Sequence, residues 1–509
     1  MCVVFAACVV LVSLFAGLLA VAAWLWANRR RTAIPGPPTL PLAGNGFSFY
    51  KVPVLWDRLW AMHSRYGDIF RFYIGSRLVV VLTQPEDIQR VLLGGKSREN
   101  MPREREPFVT YTFRTFLGDG LIGVQGERWK RHRKHIERVF HIEELKKFMD
   151  KFNDAGLFLC EQLAESKGAE IELSHSLVHT TFRSAIATIF DLDLNSIFPD
   201  RERQSEVVDL WIDFGKALSE ILYRPMTVFS WTRWMTREGR MLTKFKTVVR
   251  HITDRVFALG RKRPDSSKAS ERTLLAWILK EKNSGTIFTD KELHDEAATM
   301  ATVGVETVTS TMGYALSLLG LHPEWQEMAQ RELDECFGTG DDYLRPVTTA
   351  DLSQLKVIDA ILKETGRLFT TVPCMLYVAA EDVPLAGGRY IAARGTTLLI
   401  AYYLMHRHPE LFPEPDKFDP GRFLEGGSAE SRKAYSYIPF GIGSRKCVGE
   451  RYAVLQMKVV LATVLRRYRI LPGTSREELE DSVLSMVSQP VTGFRVTFIP
   501  RDNIPSNSV

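Results

Sequence analysis

Pro439-Phe440-Gly441-Ile442-Gly443-Ser444-Arg445-Lys446-Cys447-Val448-Gly449-Glu450 surrounds one cysteine with neighbours that few cysteines have. A lone cysteine is most often a small buried hydrophobe. Here Arg445 and Lys446 precede the thiol and a helical pattern starts after Gly449. Two cations and a helix N-terminus favour a thiolate, so a lowered pKa and a soft metal ligand are expected. Gly441, Gly443 and Gly449 permit tight turns and the close approach of a flat ligand, and leave main-chain N–H groups for the sulfur. The six cysteines, Cys2, Cys8, Cys160, Cys336, Cys374 and Cys447, show no CxxC spacing. Neither a disulfide framework nor a zinc ribbon is suggested, and a reducing compartment fits better. A single thiolate with no second soft ligand nearby suits haem iron, whose in-plane ligands come from the porphyrin.

The segment resembles the F-x-x-G-x-R-x-C-x-G loop of cytochrome P450 monooxygenases at every fixed position: Phe440, Gly443, Arg445, Cys447 and Gly449. The resemblance implies that Cys447 is the proximal ligand of a noncovalently bound haem b, that Phe440 packs beside it, and that Arg445 pairs with a propionate. Further family landmarks extend along nearly the whole chain. Glu364-Thr365-Gly366-Arg367 is similar to E-x-x-R, whose spacing puts both charges on one helix face. Arg422, in Phe418-Asp419-Pro420-Gly421-Arg422-Phe423, resembles the third member of a structural Glu-Arg-Arg triad that would lock the cysteine loop against the core. Trp129 and Arg133 match W-x-x-x-R on a helix that would pass the haem edge, both aimed at a propionate.

The oxygen side is Ala301-Thr302-Val303-Gly304-Val305-Glu306-Thr307-Val308-Thr309 inside a long apolar helix. Gly304 lets a bulky ligand approach the backbone, and a threonine hydroxyl can bond a preceding carbonyl and distort the ladder. By resemblance Glu306 and Thr307 are the acid–alcohol pair that carries protons to dioxygen. Some positions depart from the family pattern. Val303 replaces a small residue and, in many omega-hydroxylases, a glutamate that bonds covalently to haem. Val308 replaces a second hydroxyl, which leaves Thr307 alone or with Thr309. Thr370-Thr371 stand where many members have Pro-Pro, Gly421 where an acid is common, and Tyr377 near the position of a propionate-binding arginine.

Around these motifs, 45% hydrophobic and 25% charged residues describe a chain with a large core. The 66 basic against 60 acidic residues leave +6 over 509 residues, too little to argue for nucleic acid. Helical periodicity over 143–164, 206–222, 291–319, 324–337 and 450–468 outweighs the strand-like runs at 69–73, 78–83, 388–391, 396–400 and 491–498. The expected fold is mostly α with a small β-sheet region, as in cytochromes P450.

Residues 2–27 carry no charge and are long enough to span a bilayer, with Arg29, Arg30 and Arg31 following. They read as a single uncleaved transmembrane helix with the rest of the chain on the cytosolic side. The absence of any N-x-[ST] sequon agrees. A basic stop and proline-rich hinge over 28–42 would lead into one catalytic domain, 43–500, with a frayed tail, 501–509. The organisation resembles animal microsomal enzymes of the endoplasmic reticulum, near the branch of fatty-acid omega-hydroxylases.

Other signatures fail. Gly95-Lys96-Ser97 lacks a P-loop's first glycine because Arg90 holds that position, and Gly441-x-Gly443 lacks a dinucleotide fingerprint's third glycine because Lys446 holds it. His132, His135 and His141 sit among arginines and lysines and read as a solvated basic face rather than metal ligands. That face, with Lys130, Arg131, Lys134 and Arg138, suits an acidic electron donor such as NADPH–cytochrome P450 reductase, with cytochrome b5 as a second candidate. Membrane lipids, dioxygen and a lipophilic substrate complete the expected partners. Phe108, Tyr111, Phe113, Phe116 and Leu117 suggest apolar pocket walls near 100–121, with a second wall near 488–493. They leave fatty acids, terpenoids, steroids and foreign compounds equally eligible. The rival readings are a haem-thiolate isomerase or dehydratase working without a reductase, and a non-catalytic haem sensor.

Overall fold

The computed structural model describes residues 15–21, 23, 32–40, 43–49, 54–94, 103–223, 234–262, 273–277, 288–338, 340–484 and 487–501. Most of the expected membrane anchor lies outside them. Residues 15–21 and 23 are helical, and Phe15, Leu18, Leu19 and Val21 are exposed. Among the described residues no helix is long and apolar enough to cross a membrane. The chain divides into two compact units, Met1–Glu106 with Cys374–Met405, and Pro107–Pro373 with His406–Val509.

The smaller unit is built on five strands. β1 (Ile69–Ile74) and β2 (Arg77–Leu82) form an antiparallel hairpin with Ile69 opposite Leu82. The continuous apolar run from Leu78 to Leu82 lets β2 be buried almost throughout. Two helices of this unit are α1 (Val54–Tyr66) and α2 (Pro85–Leu93). β3 (Arg103–Arg105) is an edge strand. Tyr377, buried in the strand that pairs with β3, lies opposite Arg105.

The larger unit is helical and carries every candidate site residue. Among the described residues its helices of two or more turns are α3 (Pro107–Leu117), α4 (Gly126–Val139), α5 (Met149–Ala164), α6 (Ser174–Ile189), α7 (Arg201–Tyr223), α8 (Arg237–Arg261), α9 (Asp290–Leu321), α10 (Pro323–Phe337), α11 (Lys356–Leu368) and α12 (Glu450–Arg467). β4 (Glu170–Glu172) belongs to a small sheet of this unit. The smaller unit's sheet is completed by β5 (Met375–Ala379) and β8 (Thr397–Ile400), in the order β1-β2-β8-β5-β3, beside a separate hairpin of β6 (Val383–Leu385) and β7 (Tyr390–Ala392). In the larger unit β4 and β9 (Tyr468–Pro472) flank β12 (Arg495–Pro500) in the order β4-β12-β9, and β10 (Ser482–Leu484) pairs with β11 (Ser488–Pro490).

α9 organises this unit. Thr289 and Glu292 cap its start reciprocally, and His322-Pro323 ends it. Its 32 residues make a rod about 48 Å long. An ordinary amphipathic helix would show one wet face, but α9 is buried nearly all round, packed against α6 on one side and α11 and β9 on others. The sequence therefore places the helical elements well. The last strand is displaced: residues 491–494 are not in it, because Gly493 turns with φ +76° and Val491 is exposed.

Candidate active site

Cys447 sits just before α12, in a loop held by its own backbone. Its N–H donates to the Phe440 carbonyl at 2.9 Å, Gly441 N–H to Ile438 O at 2.9 Å, and Lys446 N–H to Gly443 O at 3.0 Å. Gly441 and Gly443 adopt φ of +69° and +76°, which a side chain would strain. The N–H of Gly449 points at the sulfur, and Arg133 and Lys446 lie close enough to favour a thiolate. Even so, burial raises the thiol above its ordinary range. This overturns the expectation of a lowered pKa: desolvation by the surrounding protein outweighs two flanking cations. The side chain is nonetheless accessible, so it borders an internal space rather than solid packing.

Two arginines join this loop to α4, Arg445 from the loop and Arg133 from the helix. The Arg445 guanidinium lies 3.9 Å from the centre of the buried Trp129 ring and donates to Val124 O at 3.3 Å. Arg133 donates to the Lys446 carbonyl at 2.7 Å and to Glu137 at 2.6 Å. Trp129, Arg133, Arg445 and Cys447 thus form one cluster. Two of the three histidines depart from the solvated-face reading, while His141 is exposed as expected. His132 is completely buried, with Nδ1 2.7 Å from Glu296 Oε1, and His135 packs against Trp277 and Phe288. Glu296, buried at 0% exposure, also accepts from Leu121 N–H, and no local pattern in the sequence marked it. Arg131 and Arg128 bond Glu292 and the exposed Lys130 pairs with Glu127, leaving Lys134 and Arg138 as the exposed cations of this set with no ion pair among the described residues.

On α9, partial exposure recurs at Val303, Gly304, Thr307 and Thr311 amid buried neighbours. Spacing of three and four residues makes this one stripe, so α9 faces an interior space along it. A methyl group built on Gly304 would meet nothing within 4 Å. Thr307 donates to Val303 O at 3.0 Å, the back-bond expected of a distorted turn. Glu306 points elsewhere. It is 2% exposed, its carboxyl lies near Gly215 of α7, and neither oxygen has a hydrogen-bond partner among the described residues. Burial pushes its pKa up to about 8, so it is mostly protonated at neutral pH. Thr309 does not extend the relay, because its hydroxyl is 2.8 Å from Thr181 on α6, away from the stripe. The second hydroxyl on the stripe is Thr311, 2.7 Å from Thr371. No local pattern could have found that pair, since 60 residues separate its members.

The triad assembles. Arg367 donates bidentately to Glu364 at 2.7 Å for both bonds, with both side chains at 0% exposure, and its other N–H groups reach the carbonyls of His406, Pro415 and Lys417. Arg422 approaches Glu364 at 3.4 Å and donates to Glu414 O. Asp419 N–H donates to Glu364 at 2.9 Å. His406, not expected from sequence, links this cluster to the cysteine loop: its Nε2 accepts from Ile438 N–H at 3.1 Å and its Nδ1 lies 2.9 Å from Thr370 Oγ1. Burial and the Arg367 and Arg432 guanidiniums push His406 down to about 3. The neutral ring therefore carries its proton on Nδ1. Among the expected pocket-wall residues, Phe116 and Leu117 are buried in α3, whereas Tyr111 turns outward at 46% exposure. Residues 95–102 lie outside the described set.

These residues fit a haem. The accessible sulfur receives an N–H from the start of α12, the stripe on α9 leaves room at Gly304, and cationic groups stand beside the loop. A thiolate raised by burial needs positive charge in direct contact, and a metal ion supplies it.

A family profile described as "Cytochrome P450" matches residues 34–498. Among curated proteins, the chain is 28% identical over 508 residues to cytochrome P450 4g1 of Drosophila melanogaster, covering 92% of this chain and 89% of that protein. It is 29% identical over 433 residues to cytochrome P450 4V2 of Rattus norvegicus, covering 82% of this chain and 79% of that protein. Cytochrome P450 4c3 of Drosophila melanogaster is likewise 28% identical, with 93% and 92% covered. A glycine-turned loop presenting one accessible thiol, the bidentate Glu364–Arg367 core and a profile match over nearly the whole length agree: this chain is a haem-thiolate monooxygenase of the cytochrome P450 family.

Proposed function

We propose that the protein is a membrane-anchored monooxygenase that inserts one atom of dioxygen into a lipophilic substrate, using electrons passed from NADPH by a reductase. The balance is R–H plus O2, two electrons and two protons giving R–OH and water. Haem bound through Cys447 supplies dioxygen binding and the thiolate push for O–O cleavage. Phe440, Gly443 and Gly449 would shape the loop around the sulfur, and Trp129, Arg133 and Arg445 would offer the propionates cations and a donor. Gly304 gives the flat group room against α9. Thr307 presents a hydroxyl on the inner stripe to pass the protons that the balance requires, and Glu306, which holds a proton at neutral pH on the α7 side of α9, is the acid that would replenish them. Glu364, Arg367 and Arg422 keep the loop registered.

In this reading residues 2–27 anchor the chain in the endoplasmic reticulum membrane, 28–42 form a hinge, 43–500 make a cytosol-facing catalytic domain, and 501–509 a tail. The charge-free run followed by three arginines supports the anchor. The resemblance to the omega-hydroxylase branch makes fatty acids the first substrates to try. The exposed Lys134 and Arg138 offer the redox partner a cationic edge.

The observation that carries the reading is Cys447, accessible, N–H-bonded and presented by a loop turned at Gly441 and Gly443. Cys447→Ala should abolish the thiolate-type spectrum of the reduced carbon monoxide complex in folded protein, and retention of that spectrum would refute the assignment. Reductase- and NADPH-dependent oxidation of a lipophilic panel should appear with the wild type. Rearrangement of peroxides without reductase, or ligand binding without turnover, would replace the reading with an isomerase or a sensor.

A further inference from the structure

We propose that Thr311 and Thr371 form a hydrogen-bonding anchor for a hydroxyl group on the substrate, so that the preferred substrate is a lipophilic alcohol rather than a plain hydrocarbon chain. This deepens the monooxygenase reading and rests on it. Three segments converge here. Thr311 is the half-exposed residue one turn, about 5.4 Å, beyond Thr307 on the inner stripe. Thr371 follows α11, is itself half-exposed, and places its Oγ1 2.7 Å from that of Thr311. The β10–β11 hairpin is pinned beside both: Ser488 N–H donates to Thr371 O at 2.8 Å, and Ser310 Oγ donates to Ser488 O at 2.6 Å.

Counting protons gives the polarity of the anchor. Thr311 Oγ1 lies 3.0 Å from the Thr307 carbonyl, so its O–H has an acceptor within its own helix. The Thr371 O–H then donates to Thr311 Oγ1, and both donors are satisfied. The opposite arrangement, Thr311 donating to Thr371, leaves the Thr371 proton without an acceptor among the described residues. The satisfied arrangement leaves the lone pairs of Thr371 Oγ1 unused, and a partly open threonine oxygen with free lone pairs asks for a donor. A hydroxyl group supplies one and, by reversing the pair, can accept as well. Of the other stripe residues, Val303 and Gly304 offer apolar surface, and the Thr307 hydroxyl already donates to the Val303 carbonyl. In such a wall one fixed polar group orients a ligand, and a site built around a hydrogen bond discriminates against an analogue without it.

The test is spectral titration of the purified haem protein with dodecan-1-ol and its methyl ether, and with cholesterol and its methyl ether. Within at least one pair the alcohol should bind about three- to tenfold more tightly, the worth of a neutral hydrogen bond. Thr371→Val should bring that ratio to about one, and Thr371→Ser should restore it. Equal affinity for alcohol and ether in both pairs with the wild type overturns the proposal, whatever the variants do. A preference that survives in Thr371→Val overturns it too. If Thr371→Val fails to take up haem, Thr311→Val replaces it with the same expected ratio. Failure of the wild type to give a thiolate-type carbon monoxide spectrum would instead overturn the monooxygenase reading, so the two failures are distinguishable.

Discussion

Glu364 on α11 and Glu306 on α9 are both walled off from water, yet one is ringed by donors and the other has none among the described residues. Glu364 takes two bonds from Arg367 and one from Asp419 N–H, with Arg422 alongside. Its charge is compensated, and it is suited to holding backbone segments together. The Glu306 carboxyl lies near Gly215 of α7 without a hydrogen-bond partner among the described residues, and burial makes it hold a proton. A buried carboxyl without partners costs stability, so its persistence points to chemistry rather than scaffolding. The difference separates the architecture of the site from its reactivity.

Breaking the compensated side should produce the largest effect. Arg367→Ala strands the Glu364 carboxylate at 0% exposure and removes donors from the carbonyls of His406, Pro415 and Lys417. The expected loss is about 3–5 kcal/mol, with poor haem retention, measurable by thermal unfolding and by haem content after expression. A variant that melts with the wild type would remove the distinction between the two glutamates.

The uncompensated side should respond to pH. The native Glu306 carboxyl keeps its proton up to about 8. In the unfolded chain it gives that proton up near its ordinary value of about 4.3. Between those values the native state binds more protons than the unfolded one, so stability falls as pH rises, by up to about 1.4 kcal/mol per pH unit. This contribution is fully present below pH about 4.3 and is lost through pH about 8. Glu306→Gln removes it. Melting curves at pH 5 and pH 8 should therefore converge in the variant, while the wild type loses on the order of a few kcal/mol more across that interval. Parallel profiles would mean that the carboxyl is ionised and partnered in solution.

The sequence exposed these two regions to different degrees. The cysteine loop and the E-x-x-R helix are legible because each residue is constrained by chemistry: glycines for left-handed turns, an arginine at helical spacing from its acid, a cysteine before a helix start. The helices were legible through their period, although α9, buried on nearly every side, shows its function only in the narrow stripe of Val303, Gly304, Thr307 and Thr311. Burial and distant contacts were hidden. Arg445 and Lys446 suggested a depressed thiol, but the protein packed around Cys447 reverses the sign. Cations near His132 suggested solvent, but Glu296, 164 residues away, takes the ring into the core. The hydroxyl pair of Thr311 and Thr371 and the bridging ring of His406 depend in the same way on segments far apart in the chain.

Arg422 offers the finest test of the comparison. If the worth of each arm of the triad follows the hydrogen bonds it makes, the arm at 3.4 Å should matter less than the bidentate one. Its Nε finds no partner of hydrogen-bonding geometry, and its firm bond is to Glu414 O at 2.9 Å. After Arg422→Ala, Glu364 still accepts from Arg367 and Asp419, so no charge is stranded. The loss should be about 1–2 kcal/mol, read as a modest drop in melting temperature with the reduced carbon monoxide spectrum retained. A loss as large as that of Arg367→Ala would show that Glu364 needs the field of both guanidiniums, and that hydrogen-bond satisfaction alone does not separate scaffold from reactive acid.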